Sequence, residues 1–212
     1  MTQPRKRSRS AEQTRKAVLR AAIRLFARSG FAGVSMRDIS QACGVSQPLI
    51  HHHFGSKKDL YVATHEQAVR SCRDKMGPTL AGRRGNKEML LKAVERYFSV
   101  VGASRTMRRL CAWSLLEGDL SPWPGEAELF QEVRGQIEEA QQDGSIRSDV
   151  QSSFLAVTAF CMVRHWWEYR DLYAAYLGAA SAEKDRIESR PIDVAYIEQA
   201  VRFLGTALAK QD

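Results

Sequence analysis

Apolar residues in this chain recur at spacings of three and four, and Gly and Pro separate the segments in which they do so. That spacing places apolar side chains on one face of an α-helix. Sustained alternation of apolar and polar residues, which is typical of a half-buried strand, does not occur along the 212 residues. The sequence therefore predicts an all-α fold.

The same periodicity and the positions of Gly and Pro give the predicted helices. We expect a flexible, Gly- and Arg-rich connection over about 76–85. A short helix is predicted after Ser35, interrupted about two turns later by Cys43-Gly44-Val45. The other helices are predicted at about 12–29, 46–53, 57–74, 87–101, 105–117, 126–142, 149–177, 182–189 and 192–209.

Residues 35–53 predict two short helices joined by a tight turn. Ser35 and Asp38 have the spacing of a capping box, and Gly44 falls in the turn, where we expect a side chain to be crowded. Two short helices around a turn with Gly are the geometry of a DNA-binding helix-turn-helix, whose second helix enters the major groove. A small core between the two helices is expected to contain Ile39, Val45 and Ile50.

The positive charge is concentrated in the first quarter of the chain. Residues 1–60 contain twelve Lys and Arg against three carboxylates, whereas the remaining 152 residues contain 20 basic and 21 acidic side chains. Such asymmetry indicates a segment that binds a polyanion, attached to a nearly neutral body. Charge alone leaves DNA, RNA and an anionic lipid surface open.

Other features argue against a membrane or secreted protein. The longest nearly apolar run, Phe154–Val163, is about half the roughly 20 residues of a membrane span. The first twelve residues are basic and polar and do not resemble a secretory signal. The four cysteines are far apart, which predicts neither a disulfide framework nor a zinc site. We expect a soluble, cytoplasmic protein.

An enzyme is also not expected. The chain has no Gly-rich phosphate loop, no Gly-x-Ser-x-Gly elbow and no clustered metal ligands, so no cofactor is predicted. Three consecutive histidines at 51–53 could suggest a metal. On a helix they point about 100° apart, however, so they cannot all bind one ion, and no metal site is predicted.

Residues 14–61 resemble the N-terminal domain of the TetR family of regulators. The segments that carry this resemblance are Thr14-Arg15-x-x-Val18-Leu19-x-x-Ala22, Leu25-Phe26, Gly30-Phe31, Val34-Ser35-Met36-Arg37-Asp38-Ile39, Gly44-Val45-Ser46 and His52-His53-Phe54-x-x-Lys57-x-x-Leu60. It implies a homodimeric all-α protein with a three-helix DNA-binding domain followed by a larger helical domain for ligand binding and dimerisation. The corresponding boundaries are a basic flexible arm at 1–11, the DNA-binding domain at 12–61, and the larger domain at 62–212, with the connecting helix shared to about 75.

The resemblance also implies which side chains face DNA: Ser35, Arg37, Ser46, Gln47, Pro48, His51, His52, His53 and Lys57. Gln47 is expected to read a base, since an amide can bond an adenine edge through both of its polar atoms. His52, His53 and Lys57 are expected to hold phosphates, and Phe54 to belong to the core. The family often has Tyr at 51 or 53 and a small residue at 48, so these departures bear on the operator sequence.

The last helix carries a heptad-like seam of Val194, Ile197, Val201, Leu204 and Leu208. A helix of the same chain could cover it. The resemblance favours a dimer interface, because members of this family dimerise through their last long helices. Its expected partner residues, on the preceding helix, are Phe154, Val157 and Cys161. Two-fold symmetry then implies a pseudo-palindromic double-stranded DNA operator.

Aromatic residues are frequent in the larger domain, and Trp and Tyr suit a ligand pocket with few directing polar groups. For each aromatic residue an ordinary core role is the competing interpretation. Arg164 and His165 would orient an acidic or polar ligand. The candidate pocket residues are Met107, Trp113, Phe160, Arg164 and His165. The resemblance implies a repressor released from its operator by a small molecule, while a regulator that activates or responds to no ligand stays open.

Overall fold

The computed structural model describes residues 4–80, 85–179 and 191–209. The regular structure in these ranges is helical, which confirms the all-α prediction. The helices are α1 (Pro4–Ser29), α2 (Met36–Cys43), α3 (Gln47–Phe54), α4 (Lys57–Leu80), α5 (Lys87–Ala103), α6 (Arg105–Leu116), α7 (Glu126–Gln142), α8 (Ser152–Ala179) and α9 (Ile192–Ala207). The predicted helix at 182–189 lies outside the described residues. None of the helices in these ranges carries an apolar stretch long enough to span a membrane.

Two sequence predictions about helix ends are wrong. Helix α1 begins at Pro4, eight residues before the predicted start at about 12. Proline is tolerated in the first turn of a helix, and Lys and Arg are good helix formers. Helix α4 continues to Leu80 through the predicted break. Met76, only 4% exposed, is packed into the second unit, and such tertiary packing outweighs the local tendency of Gly77 and Pro78 to end a helix.

The chain forms two compact units. The first comprises Met1–Ser71 with Arg105–Glu126, and the second comprises Cys72–Ser104 with Ala127–Asp212. The unit that contains the predicted DNA-binding domain therefore also includes α6 and the segment that follows it.

The core of the first unit is built from α1, α2, α3, α4 and α6. Phe26, Ile39, Ile50, Leu60 and Leu110 are fully buried in one cluster. This confirms the predicted inward positions of Ile39 and Ile50, and the apolar stripe of α1 supplies one wall of the cluster.

In the second unit α5 packs on both α8 and α9. The Trp167 indole N–H donates to the Phe98 carbonyl at 3.0 Å. Asp193 joins α8 to α9, because its carboxylate accepts from Arg170 at 2.8 to 3.1 Å and from the Trp166 indole at 3.0 Å. Helix α8 has a kink at Tyr169, where φ is −110° and ψ is 17°.

Candidate nucleic-acid interface

The start of α2 is fixed by the predicted capping box. The Asp38 backbone N–H donates to the Ser35 hydroxyl at 3.1 Å, and the Ser35 N–H donates to the Asp38 carboxylate at 2.8 Å. The Ser35 hydroxyl also donates to that carboxylate, and these hydrogen bonds hold the pKa of Asp38 below its usual value. Ser35 therefore orients α2, and this role does not depend on any contact with DNA.

Gly44 ends α2 for a different reason from the one expected. Its φ is +68°, in the left-handed region, and its N–H donates to the Ser40 carbonyl at 2.9 Å. A Cβ placed on Gly44 would meet nothing within 4 Å. The expectation that a side chain would be crowded in the turn is wrong, since backbone conformation, not space, favours glycine here.

Helix α3 has one buried face and one exposed face. Ile50 and Phe54 are buried, and Phe54 is thereby confirmed as a core residue. At 100° per residue, Pro48 and His52 lie on the side opposite Ile50 and Phe54, and both are exposed. This is the face that a recognition helix would turn toward a groove. Gln47 lies on the side of Phe54 but is exposed, because it is the first residue of the helix.

The N-terminus of α3 differs from that of α2. Ser46 is the N-cap residue, but its side chain makes no capping hydrogen bond. Its hydroxyl is exposed beside Gln47, and Pro48 lies in the first turn, as predicted. Ser46 and the first backbone N–H groups of α3 thus lie at the end of the helix where anions are favoured.

Some of the predicted DNA-facing side chains have other contacts in the structure. The His51 Nδ1 donates to the Gly55 carbonyl at 2.7 Å, which fixes the ring over the end of α3. His53 is half-buried, and Arg15 donates to its carbonyl at 3.0 Å. Lys57 is half-buried, with its Nζ 4.2 Å from the centre of the Phe31 ring. Its aliphatic stem therefore packs against the protein.

Arg37 of α2 and Leu49 of α3 are also exposed. Arg37 is exposed in the first turn of α2, next to the Ser35 cap. Leu49, which the sequence analysis did not single out, is 41% exposed on α3. An exposed leucine beside polar groups on such a helix matches the apolar contact that a thymine methyl group requires. The available sequence signal was its position in the predicted second helix, between Pro48 and the expected core residue Ile50.

The C-terminal end of α1 is held by α6 within the first unit. The Arg109 guanidinium donates to the carbonyls of Ala27 and Arg28, which α1 leaves without helical partners. The Glu117 carboxylate accepts from the backbone N–H groups of Phe31 and Ala32 at 3.1 and 3.0 Å. These contacts fix the loop that leads into α2.

The first unit also contains a buried aromatic cluster formed by His65, Tyr61 and Trp123. His65 is 3% exposed, stacks on Trp123 with ring centres 4.1 Å apart, and packs edge-on against Tyr61. Among the residues that the structure describes, the buried His65 Nε2 has no hydrogen-bond partner. Burial lowers the pKa of His65 to about 4, against the opposing effect of Asp119 and Glu117.

The five residues predicted to line a ligand pocket belong to different units of the structure. Met107 and Trp113 lie on α6 in the first unit, where Trp113 packs against Gly30. Phe160, Arg164 and His165 lie on α8 in the second unit, and His165 hydrogen-bonds the Tyr173 hydroxyl at 2.7 Å. Phe160 alone of the five lines the apolar cavity of the second unit described below.

The predicted dimer interface is divided by the structure. Phe154, Val157 and Cys161 are exposed along one face of α8, and Val194 is exposed on α9. Ile197 and Val201 are half-buried. Leu204 and Leu208 are buried inside their own unit, which contradicts their predicted place in an intermolecular seam. The covering of the seam by the same chain, left open by the sequence, applies to these two residues.

Comparison with known proteins agrees with this geometry. Residues 18–64 match the family model described as bacterial regulatory proteins, tetR family. Two similar proteins are HTH-type transcriptional regulators named BetI. The one from Rhizobium meliloti is 42% identical over 60 residues, 28% of this chain and 30% of that protein. The one from Agrobacterium fabrum is 34% identical over 99 residues, 47% of each chain. The matches thus span less than half of these relatives.

Solved structures share the fold over most of the chain. The putative transcriptional regulator SCO4942 from Streptomyces coelicolor has a TM-score of 0.69 at 20% identity, covering 90% of this chain and 97% of that one. A putative transcriptional regulator from Saccharomonospora viridis in complex with choline has a TM-score of 0.67 at 21% identity, covering 94% of this chain and 100% of that one. The transcriptional regulator FadR from Bacillus subtilis in complex with stearoyl-CoA has a TM-score of 0.64 at 13% identity, covering 91% of this chain and 98% of that one. Over residues 18–64 the chain is thus similar to the tetR family of bacterial regulatory proteins.

Proposed function

We propose that this protein is a dimeric, sequence-specific DNA-binding transcriptional regulator, and most simply a repressor that a small molecule releases from its operator. The observation that carries the proposal is α3, whose buried face is anchored in the core, whose opposite face exposes Pro48 and His52, and whose first turn exposes Gln47. The concentration of basic residues in the first quarter of the chain supports a DNA partner.

Within this proposal the polar and exposed side chains on and around α3 have different roles. Gln47 reads an adenine edge through its amide. His52 points directly away from the core, so we assign it to a base edge as well, in place of the phosphate contact expected from the sequence. Leu49 contacts a thymine methyl group. Ser46, Arg37, Lys57 and the histidines at 51 and 53 contact phosphates or groove edges, which set the register of the helix on DNA.

The proposed dimer uses the exposed face of α8. Phe154 is 63% exposed, Val157 is 45% exposed and Tyr176 is 62% exposed, which is unusual for large apolar side chains spaced along one helix. A second copy of the chain would cover them and would place two α3 helices on two half-sites of an operator.

Two structural neighbours of similar fold are in complex with choline and with stearoyl-CoA, which differ in charge and size. Similarity of fold therefore does not define the chemical class of the proposed effector. A regulator that activates transcription or responds to no ligand is the alternative, and the same DNA-binding face would serve it.

Selection from a random duplex-DNA pool at fixed, near-physiological salt tests the proposal. We expect a pseudo-palindromic motif, and we expect Gln47→Ala to weaken binding to it by about 10- to 100-fold, since one base contact contributes about 1–3 kcal/mol. The salt must be fixed because phosphate contacts make affinity strongly salt-dependent. Gln131→Ala, a change of an exposed glutamine on α7, should leave affinity unchanged. Recovery of no motif by the folded protein would contradict the proposal.

The dimer is tested separately by sedimentation equilibrium. Val157→Asp places a carboxylate in the centre of the proposed interface and is expected to raise the dimer dissociation constant by about tenfold or more. The matched change Leu120→Asp alters a leucine that is 72% exposed in the first unit and should have no effect. A wild-type chain that sediments as a monomer would rule out this part of the proposal.

A further inference from the structure

The second unit contains a cavity of about 90 Å³. It is bounded by α5, α7, α8 and α9, and Met76 of α4 contributes to its wall. Leu155, Ala156 and Ala159 form its α8 side, and Leu204 contributes from α9. The cavity therefore lies inside one compact unit.

The lining of the cavity is almost entirely hydrocarbon. Of the seventeen described residues that line it, all but Tyr97 and Thr158 have Ala, Val, Leu, Ile, Met or Phe side chains. None of the seventeen carries a charge at neutral pH. The hydroxyls of Tyr97 and Thr158 are the polar groups among these side chains.

Such a lining selects the chemistry of what can enter. A charged group moved from water into this cavity would lose its hydration and find no counter-ion, a cost of several kcal/mol. A hydrocarbon group loses nothing of this kind and gains contact with the apolar walls. Apolar cavities of this type stay dry and bind apolar molecules.

A quaternary ammonium head is also poorly matched. Recognition of such a cation relies on several aromatic faces arranged around it. The aromatic side chains among the described lining residues are Tyr97 and Phe160, which pack edge-to-face on each other with ring centres 5.1 Å apart. Trp166 and Tyr196, elsewhere on α8 and α9, stack on each other with ring centres 3.9 Å apart, so these two faces are already covered.

We propose that this cavity binds a short hydrocarbon group, either as a small neutral molecule or as the alkyl part of a larger ligand whose polar portion remains outside. The inference rests on the proposed function, because it supplies the chemical class of the effector for a ligand-responsive regulator. A volume of about 90 Å³ equals that of roughly three water molecules, so the part held inside is a few carbons long.

The test is a series of 1-alkanols from propanol to octanol, with affinities measured by titration calorimetry in the absence of DNA. Affinity is expected to rise about fourfold per methylene while the chain fills the cavity and then to level off. A negative heat-capacity change on binding is the accompanying sign of apolar burial.

Substitutions that change the cavity should move the point at which affinity levels off. Ala159→Leu fills part of the cavity and is expected to shift that point to shorter chains, with at least tenfold weaker binding of the longer alkanols. Leu91→Ala enlarges the cavity and is expected to shift the point to longer chains, which keeps the test decisive if the first variant does not fold. Ala127→Leu, at an exposed position of α7, is the matched control and should leave the series unchanged.

Charged probes then identify the source of the hydrocarbon. Tighter binding of pentanoyl-CoA than of 1-pentanol would support an alkyl part of a larger ligand, and the reverse order would support a small neutral molecule. Tetramethylammonium binding that is lost in Ala159→Leu would overturn the inference, as would an alkanol series with no dependence on chain length. Because DNA selection needs no ligand, failure here is distinguishable from failure of the regulator proposal.

Discussion

Alanine at Gly30 is expected to lower the free energy of unfolding by about 2–5 kcal/mol, whereas alanine at Gly44 should cost about 1–2 kcal/mol. Both glycines end a helix with nearly the same φ, +70° and +68°. A side chain at either position therefore carries the cost of the left-handed conformation. The two positions differ in the space around them, which makes each a control for the other.

The additional cost at Gly30 comes from α6. A Cβ on Gly30 would lie 2.7 Å from Cε3 of Trp113 and 2.6 Å from the Glu117 carboxylate. The indole cannot yield as easily as a flexible chain end, and movement of Glu117 would disturb its hydrogen bonds to Phe31 and Ala32. A Cβ on Gly44 meets nothing within 4 Å.

Urea unfolding followed by circular dichroism measures both variants. A double-mutant cycle with Trp113→Leu isolates the steric part, since the cost of Gly30→Ala should then fall toward that of Gly44→Ala. Equal costs for the two glycines in the wild-type background would show that the contact with Trp113 does not limit the site.

Stability is also expected to fall by about 3 kcal/mol between pH 7 and pH 4 because of His65. Burial lowers the pKa of His65 to about 4 in the folded protein, while the unfolded chain has the ordinary value of 6.5. Below pH 6.5 the unfolded state therefore takes up a proton that the folded state does not, and the loss continues until the pH reaches the folded pKa. Above pH 6.5 this residue has no effect on the pH dependence.

The pH range in which His65 affects stability differs from that of the capping carboxylates Asp38 and Asp59. Hydrogen bonds from Ser35 and Ser56 lower the pKa values of Asp38 and Asp59, so the stability that these two contribute is lost only around and below their unfolded value of 3.8. His65→Phe keeps a ring against Trp123 and should flatten the dependence between pH 6.5 and pH 4. His52→Ala, an exposed change on α3, should retain it. A wild-type protein equally stable at pH 7 and pH 4 would contradict the assignment, as would an unchanged slope in His65→Phe.

Local sequence signals were sufficient for the two short helices and their turn. The Ser35–Asp38 box, the turn at Gly44 and the inward positions of Ile39 and Ile50 depend on residues within a few positions of one another. Hydrogen bonds and side-chain spacing at that range follow from helix geometry itself. For this reason the helix-turn-helix could be predicted without a tertiary structure.

Contacts between distant positions could not be predicted in this way. A heptad-like spacing shows that one face of α9 is apolar, but not whether a helix of the same chain or of a second copy covers it, and Leu204 and Leu208 are covered by their own unit. Local preference likewise placed a break after Asp74, where buried Met76 keeps α4 helical.

The sequence by itself determined the helical class, the helix-turn-helix and the basic character of the first quarter of the chain, because periodicity, capping and charge are local or additive properties. Only the tertiary structure decided that Trp113 belongs with Gly30 and that Phe160, without Met107 or Trp113, lines the apolar cavity. Those outcomes depend on which surfaces meet, and surfaces meet by shape and burial summed over many residues far apart in the chain.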